Sequence, residues 1–382
     1  MQLVNSSIPL SARSKFRGCL LGALVGDCMG SRFDRSSDAF AAIASRIEPS
    51  SLRNQIPRNG GRFLFPVGVD SVMMLATGQA LLRHSPDSLR SQNISSAVLA
   101  NLKGSLEHHT DTSSSIKWGA GTRNALENSL GSDSNLRSNC GITRALVSGL
   151  VMTESTSEAV CRATHTHPSA IEGAQLIERA IKLALAEDRL LSASDVPQHM
   201  SVYKRLVPRA IDLATKGEYT EDDDFTTDLQ DRFKARFGAD ASSQCAFASM
   251  LFSTYRTAHA LPYLDTSSRE YRERIEEMAK AGLEKEKSGV AKNVMGNSNR
   301  LDSAMLFSKL TPSIEQDLPI ALSIGWAISL GGDVRSNAYL AGGLSGALWG
   351  EEGIPDEWLM FCQGVDEARA LADELFTRYS NQ

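Results

Sequence analysis

The chain has 382 residues, of which 42% are hydrophobic, 22% charged and 6% aromatic, and its formal net charge is −5 at pH 7. A nucleic-acid-binding protein presents a basic face, and this charge balance gives no reason to expect one. No apolar run reaches the length of a membrane-spanning helix. Length alone suggests about two or three domains. We find no linker and no fixed-period repeat, however, and predict one large domain.

The composition favours an all-α fold. Prolines number 12, which is few for this length, and the alternation of Val, Ile and Thr that is typical of strands is hard to find. Residues 1–12 are predicted to be a flexible N-terminal tail, followed by a helix from about Ser14 to Ser31.

The first predicted helix carries glycine at every fourth position, so the glycines line one face. Each costs a helix about 1 kcal/mol relative to alanine, and the stripe therefore predicts that another backbone packs very close along it. The glycines are Gly18, Gly22, Gly26 and Gly30.

Further helices are predicted along the rest of the chain. Pro66 excludes a helix before it, and Asp70 or Ser71 is expected to cap the helix that continues to about His84. Residues 216–228 are acidic and predict a solvated loop, because they lack the spacing of a calcium-binding EF-hand. The other predicted helices are Ser91–Leu106, Ile171–Leu191, Ser268–Glu286, Asn297–Phe307, Ile320–Trp349 and Val365–Tyr379.

The six cysteines are widely spread and form no Cys-x-x-Cys pair. This pattern argues against a zinc ribbon or a disulfide framework, and it favours reduced thiols in the cytoplasm or nucleus. Arg13, Lys15 and Arg17 precede the first acidic residue, Asp27, which leaves a mitochondrial location as an alternative.

Two polar segments are open to a functional or a purely structural interpretation. His165 and His167 lie two apart before Pro168, where a metal site is possible but a structural turn is the commoner outcome. The stretch Gly331-Gly332-Asp333 follows an apolar helical run. It is either a glycine-ended helix followed by an acid-capped one, or a rigidly held site.

Several motifs in order resemble the ADP-ribosylglycohydrolase family, and look closest to its ADP-ribosylhydrolase 3 branch. The resemblance runs from about 14 to 375, is weak across 190–300, and assigns residues 13–382 to one family domain. It implies an all-α globular fold, removal of ADP-ribose from protein side chains or from related compounds, and two magnesium ions in a central cleft. The motifs are Phe16 to Asp27, Trp118 to Gly121, Asn139 to Arg144, Thr166 to Pro168 and Ser329 to Asp333.

The family's metal-binding motifs are altered in this chain. Where the family reads Thr-Asp-Asp-Thr, this sequence reads Gly68-Val69-Asp70-Ser71. Where the family reads Gly-Gly-Asp-Thr-Asp-Thr, Arg335 stands at the second aspartate. An arginine keeps its positive charge and repels a metal ion. We therefore expect no magnesium cofactor, and expect Arg335 to replace the metals by pairing with Asp70 and Asp333.

The resemblance also implies a set of site residues. The catalytic positions are Asp34, Asp70 and Asp333, and the residual metal positions are Asp70, Asp333 and Ser336. The expected ligand-binding residues are Trp118, Gly119, Gly121, Arg137, Ser138, Asn139, Gly141 and His167.

Three functions remain open on the sequence. The first is a catalytically weak or inactive family member that binds ADP-ribose or a related ligand. The second is a hydrolase that cleaves a glycosidic bond with one metal ion or none, and the third is a structural or storage protein. The expected partners are ADP-ribose or an ADP-ribosylated protein, with no nucleic acid and no membrane, and we expect a monomer.

Overall fold

The computed structural model describes residues 11–31, 65–83, 93–111, 116, 118–127, 136–151, 155–215, 225–238, 240–260 and 319–379. Within these ranges the secondary structure is helical, apart from two isolated bridges that pair Phe65 with Cys362 and Ser138 with Ser242. The all-α prediction is therefore confirmed for the described part of the chain.

The helices fall into an N-terminal, a middle and a C-terminal group. The first group is α1 (Ala12–Gly30), α2 (Val69–Leu82), α3 (Asn93–Asp111), α4 (Ala120–Glu127) and α5 (Cys140–Ala145). The middle group is α6 (Ser157–Arg162), α7 (Pro168–Glu187), α8 (Ser201–Thr215), α9 (Phe225–Phe237) and α10 (Ser243–Ala260). The last group is α11 (Pro319–Ser329), α12 (Val334–Trp349), α13 (Asp356–Phe361) and α14 (Val365–Tyr379), and short 3₁₀ turns cover Val147–Leu150, Ala193–Asp195 and Glu351–Gly353.

The glycine stripe of α1 packs directly against the backbone of α12, as the sequence predicts. A Cβ atom at Gly22 would overlap the carbonyl oxygen of Gly342, and one at Gly26 would overlap the carbonyl oxygen of Ala338. The contact is reciprocal, because a Cβ at Gly346 would overlap the carbonyl oxygen of Gly18. Only residues without side chains allow two helices to approach so closely.

Helices α1 and α12 form the centre of the hydrophobic core. They contact each other more extensively than any other pair, α10 and α11 pack on α12, and α14 packs on α1. Side chains such as Leu24 and Leu344 are fully buried there, and each contributes about 1.5–3 kcal/mol through removal of apolar surface from water. This rigid pair carries the polar residues described below.

Three predictions of local structure need comment. Helix α2 begins at Val69 after the N-cap Gly68, so the prediction that Asp70 or Ser71 caps this helix was wrong. The capping carboxylate comes from α1 instead. Helix α9 begins at Phe225, inside the predicted loop 216–228. The predicted helices Ser268–Glu286 and Asn297–Phe307, and residues 1–10 of the predicted tail, lie outside the described residues.

The six cysteines all lie in the described part of the chain, where they are buried and carry free thiols. Among the described helices, none combines the length and the apolar character needed to span a bilayer.

Candidate functional site

The stretch Gly331-Gly332-Asp333 is both a turn and part of a polar site. Gly331 and Gly332 each have φ of 72°, a left-handed conformation that favours glycine. Asp333 is the N-cap of α12, and its Oδ1 accepts a hydrogen bond of 3.4 Å from the backbone N–H of Ser336. The two interpretations left open by the sequence are therefore compatible, because the cap is also what positions this carboxylate.

Asp70 lies in the first turn of α2 and is 1% exposed. Its Oδ1 accepts a hydrogen bond of 2.8 Å from Thr143 Oγ1, and its Oδ2 accepts one of 2.7 Å from Ser336 Oγ. Burial, followed by the negative charges of Asp27 and Asp333, raises the pKa of Asp70 to about 7. This carboxyl group therefore holds a proton more readily than an exposed aspartate does.

Ser336 and Asn139 join the two carboxyl groups into one network. Asn139 Nδ2 donates to Asp333 Oδ2 over 2.7 Å, and Ser336 Oγ lies 3.2 Å from the same oxygen. The hydroxyl of Ser336 has a single proton and faces both acids. A proton on Asp70 would satisfy the geometry, since Asp70 could then donate to Ser336 and Ser336 to Asp333.

Arg335 is held by Asp27, and this corrects the predicted pairing with Asp70 and Asp333. Its Nη2 and Nε lie 3.0 and 3.2 Å from Asp27 Oδ1. The carboxylate of Asp27 is fully buried near the end of α1. Its other oxygen, Oδ2, accepts the backbone N–H groups of Gly68 and Ser71 at 2.8 and 3.0 Å and thereby caps α2.

Gly68 provides the space that the guanidinium of Arg335 occupies. A Cβ atom built on Gly68 would coincide with Nη2 of Arg335 and overlap Oδ1 of Asp27. The guanidinium thus lies directly over the backbone at the start of α2. It brings three elements together, namely the end of α1, the start of α2 and the first turn of α12.

A second hydrogen-bond chain runs from the predicted ligand-binding segment into the core. Ser138 Oγ lies 2.7 Å from His165 Nε2, and His165 Nδ1 lies 2.7 Å from Thr164 Oγ1. The fully buried Arg144 donates to Thr164 Oγ1 over 2.5 Å. Burial, with a smaller contribution from the charge of Arg144, lowers the pKa of His165 to about 3. The ring of His165 is therefore neutral at physiological pH and stays neutral well into the acid range.

The hydrogen-bond chain from Ser138 to Arg144 differs from a serine–histidine catalytic dyad. In a working triad a carboxylate stabilises the imidazolium that forms during reaction. Here the group behind His165 is Thr164, and behind that lies the guanidinium of Arg144. A cation at this end opposes protonation of the ring, so His165 is a poor base for the hydroxyl of Ser138. Ser138 therefore lacks the activation that a serine nucleophile needs.

The remaining predicted ligand-binding residues lie at the start of α4 and in α5. Trp118 is half-buried and Gly119 exposed just before α4, which includes Gly121. Gly141 lies in α5, where a Cβ would press on the thiol of Cys161 and the ring of His165.

Arg137 and His167 are the two predicted ligand-binding residues that carry a cationic or titratable group. Arg137 is exposed, and its carbonyl accepts the backbone N–H of Ser243 at 2.9 Å. His167 is the N-cap of α7, and its Nδ1 accepts the N–H of Ser169 at 3.1 Å. Burial and the charge of Arg137 lower the pKa of His167. The predicted structural role of this histidine in a turn is confirmed, whereas a role in ligand binding stays a prediction.

Asp34 lies outside the described residues. Within the parts that the structure covers, no three His, Cys, Asp or Glu side chains are grouped closely enough to hold a metal ion.

The sequence reasoning missed two residues of the site, Asp27 and Thr143, and it did not predict the contact of His165 with Ser138. Asp27 follows Gly26 inside an otherwise apolar helix, and a carboxylate in such a position is rarely buried without a partner. That signal was available from the sequence, but the identity of its partner was not. Thr143 carries no signal of its own beyond the motif that contains it.

Comparison with known proteins gives partial and full-length matches. The chain is similar to ADP-ribosylhydrolase ARH3 from Danio rerio, with 42% identity over 57 residues that make up 15% of each protein. It is also similar to ADP-ribosylhydrolase ARH3 from Gallus gallus, with 38% identity over 60 residues and 16% of each protein. The match to ADP-ribosylhydrolase ARH3 from Homo sapiens has 40% identity over 50 residues, which are 13% of this chain and 14% of that protein. The matched stretches thus span only about 15% of the length of these relatives.

A solved structure, an ADP-ribosylglycohydrolase-related protein complex, aligns with 96% of this chain and 99% of its own, at 15% identity and a TM-score of 0.49. The model of the ADP-ribosylglycohydrolase family matches residues 9–382. Since that match covers nearly the whole sequence, the chain belongs to the ADP-ribosylglycohydrolase family.

Proposed function

We propose that this protein is an ADP-ribosylglycohydrolase-family member that lacks the family's two-magnesium centre. In this proposal it hydrolyses ADP-ribose linkages weakly or not at all, and it binds ADP-ribose or a related ligand. The observation that carries the proposal is the position of Arg335, whose guanidinium lies on Asp27 over Gly68.

The residues present do not fit a pair of magnesium ions. Magnesium requires about six oxygen ligands in octahedral geometry. Asp27 is already bound by two backbone N–H groups and a guanidinium. Asp70 and Asp333 are bound by Thr143, Ser336 and Asn139. Val69 and Arg335 stand where the resemblance expects two further carboxylates.

The charge of Arg335 adds to this geometric argument. A unit charge about 4 Å from a divalent ion, at an effective dielectric constant near 20, contributes about 8 kcal/mol of repulsion. Asp27 partly neutralises that charge. Any metal that used Asp27 would first have to displace the guanidinium, because both would need the same oxygen.

Binding of an anionic ligand is supported by the segment before α5. Arg137 is exposed there beside the half-buried Ser138, and its charge lowers the pKa of the cap residue His167. A guanidinium can bind two oxygens of a phosphate group at once. ADP-ribose carries a pyrophosphate, and the resemblance places this segment among the ligand-binding residues.

Calorimetry with ADP-ribose, run in magnesium and again in EDTA, tests the proposal together with a turnover assay. The substrates are peptides that carry ADP-ribose on serine or on arginine. We expect heat of binding that is equal in both buffers, weakened in Arg137→Ala, and turnover close to the uncatalysed rate. Rapid magnesium-dependent release of ADP-ribose would overturn the loss of the metal centre, and absence of heat would leave only a structural role.

One observation favours a second candidate, a hydrolase that works without metal. The pKa of Asp70, raised to about 7, suits a carboxyl group that donates a proton at neutral pH. In glycosidases two carboxyl groups cleave a glycosidic bond in this way. Slow release of ADP-ribose in EDTA, lost in Asp70→Asn but retained in Arg137→Lys, would support this candidate over the first.

A further inference from the structure

We infer that Asp27, Gly68 and the first turn of α2 form a receptor site for a guanidinium group, which the chain fills with its own Arg335. The inference rests on the proposed loss of the metal centre and adds the chemical class of cation that the site accepts. It concerns the start of α2, and it is independent of whether ADP-ribose binds near Arg137.

The carboxylate of Asp27 is oriented before the guanidinium arrives. Its Oδ2 is held by the N–H groups of Gly68 and Ser71 at 2.8 and 3.0 Å, in the manner of a helix cap. This leaves Oδ1 as the one oxygen directed at Arg335, whose Nε and Nη2 approach it at 3.2 and 3.0 Å. A single fixed oxygen suits two converging N–H donors, whereas a hard metal ion requires several oxygens.

Glycine at position 68 provides space, and its backbone conformation does not call for glycine. Its φ is −103° and its ψ is −173°, an extended conformation that any residue adopts. The Cβ of any other residue would overlap the guanidinium of Arg335 in its present position. The guanidinium therefore lies where a side chain at position 68 would begin, with Oδ1 of Asp27 beside it.

The backbone of Arg335 is also closely packed, in this case against the end of α1. Its Cα packs on Gly30, where a Cβ would come within 2.8 Å of it. The side chain is 18% exposed and the carboxylate of Asp27 is fully buried. Truncation at position 335 would thus leave a small, negatively charged cavity that opens to solvent and has the shape of a guanidinium.

Chemical rescue of Arg335→Ala provides the test, with the melting temperature as the readout. We expect the variant to melt below the wild type, and millimolar methylguanidinium to raise its melting temperature in a saturable manner, as binding to the folded state requires. The same additive should not raise the melting temperature of the wild type or of Gly68→Ala/Arg335→Ala, in which the new Cβ fills the cavity. Sodium and magnesium at equal concentration should not substitute.

The possible outcomes separate this inference from the proposed function. Failure of methylguanidinium to rescue Arg335→Ala would overturn the receptor site and leave the proposed function standing. Saturable stabilisation of wild type by magnesium, reversed by EDTA, would instead overturn the proposed loss of the metal centre.

A second pair of variants decides the question if Arg335→Ala does not fold. Gly68→Ala in the otherwise native chain should melt several degrees below the wild type. Gly119→Ala is the matched control, because Gly119 also directly precedes a helix but has no described atom within 4 Å of a Cβ. Equal melting temperatures for the two variants would refute the receptor site.

Discussion

The buried ring of His165 predicts a specific loss of stability in acid. Its pKa is lowered from 6.5 to about 3, because burial and then the charge of Arg144 disfavour the imidazolium. A folded-state pKa below the unfolded one means that the unfolded chain binds the proton more readily. The stability from this group is therefore complete above pH 6.5 and is lost as the pH falls towards 3.

The magnitude follows from the displacement of the pKa. Each pH unit between the unfolded pKa and the working pH costs about 1.4 kcal/mol. Lowering the pH from 7 to 4 should therefore remove roughly 3 kcal/mol from the free energy of unfolding through His165 alone. His165→Gln can keep the contact with Ser138 but does not take up this proton.

Urea denaturation of wild type and His165→Gln at a series of pH values measures the effect. At pH 7 we expect the variant to be less stable by about 1–3 kcal/mol, since Thr164 loses its partner ring nitrogen. Between pH 7 and pH 4 that difference should change by roughly 3 kcal/mol in favour of the variant, so that it disappears or reverses sign. His199→Gln, at an exposed histidine, serves as the control and should follow the wild type. A wild-type-to-variant difference that stays constant with pH would refute the reasoning.

Three further substitutions and one control test the packing and the caps by urea denaturation. Gly22→Ala should destabilise by about 1–3 kcal/mol or more, since its Cβ meets the backbone of α12. Gly104→Ala, in open space on α3, should be neutral or stabilising by up to about 1 kcal/mol, and equal effects would contradict the close helix contact. Asp27→Ala removes the cap of α2 and the carboxylate that contacts Nε and Nη2 of Arg335, so a loss of about 3–5 kcal/mol is expected. A loss below about 1 kcal/mol would show that this ion pair is dispensable. Asp333→Ala should cost about 0.5–2 kcal/mol as a lost N-cap, and no change in urea midpoint would argue against that role.

Much of the fold could be predicted because its signals are local. A glycine at every fourth position, a proline before a helix or an apolar period of 3.6 residues constrains the backbone within a few residues. The close pairing of α1 with another helix followed from its glycines alone, although the sequence did not identify α12 as the partner. The limits of α2 and α9 were less accurate, because capping and loop composition are weaker signals.

Some members of the candidate site were named from the sequence, but its pairings were not. Asp70, Asp333, Ser336 and Asn139 form one hydrogen-bond network, while the metal-binding and ligand-binding roles that the resemblance implies for them stay predictions. The predicted partner of Arg335 was wrong, however. The choice between three nearby carboxylates depends on where the ends of α1, α2 and α12 meet.

The sequence by itself determined an all-helical chain of this family, with a glycine-lined helix and an arginine where the family motif has an aspartate. Only the tertiary structure decided which acid the arginine binds and why residue 68 has no side chain. The physical reason is that the relevant contacts span 41 and 308 residues along the chain. Helical periodicity carries no information over such separations, whereas packing of the three helix ends leaves one place for the guanidinium.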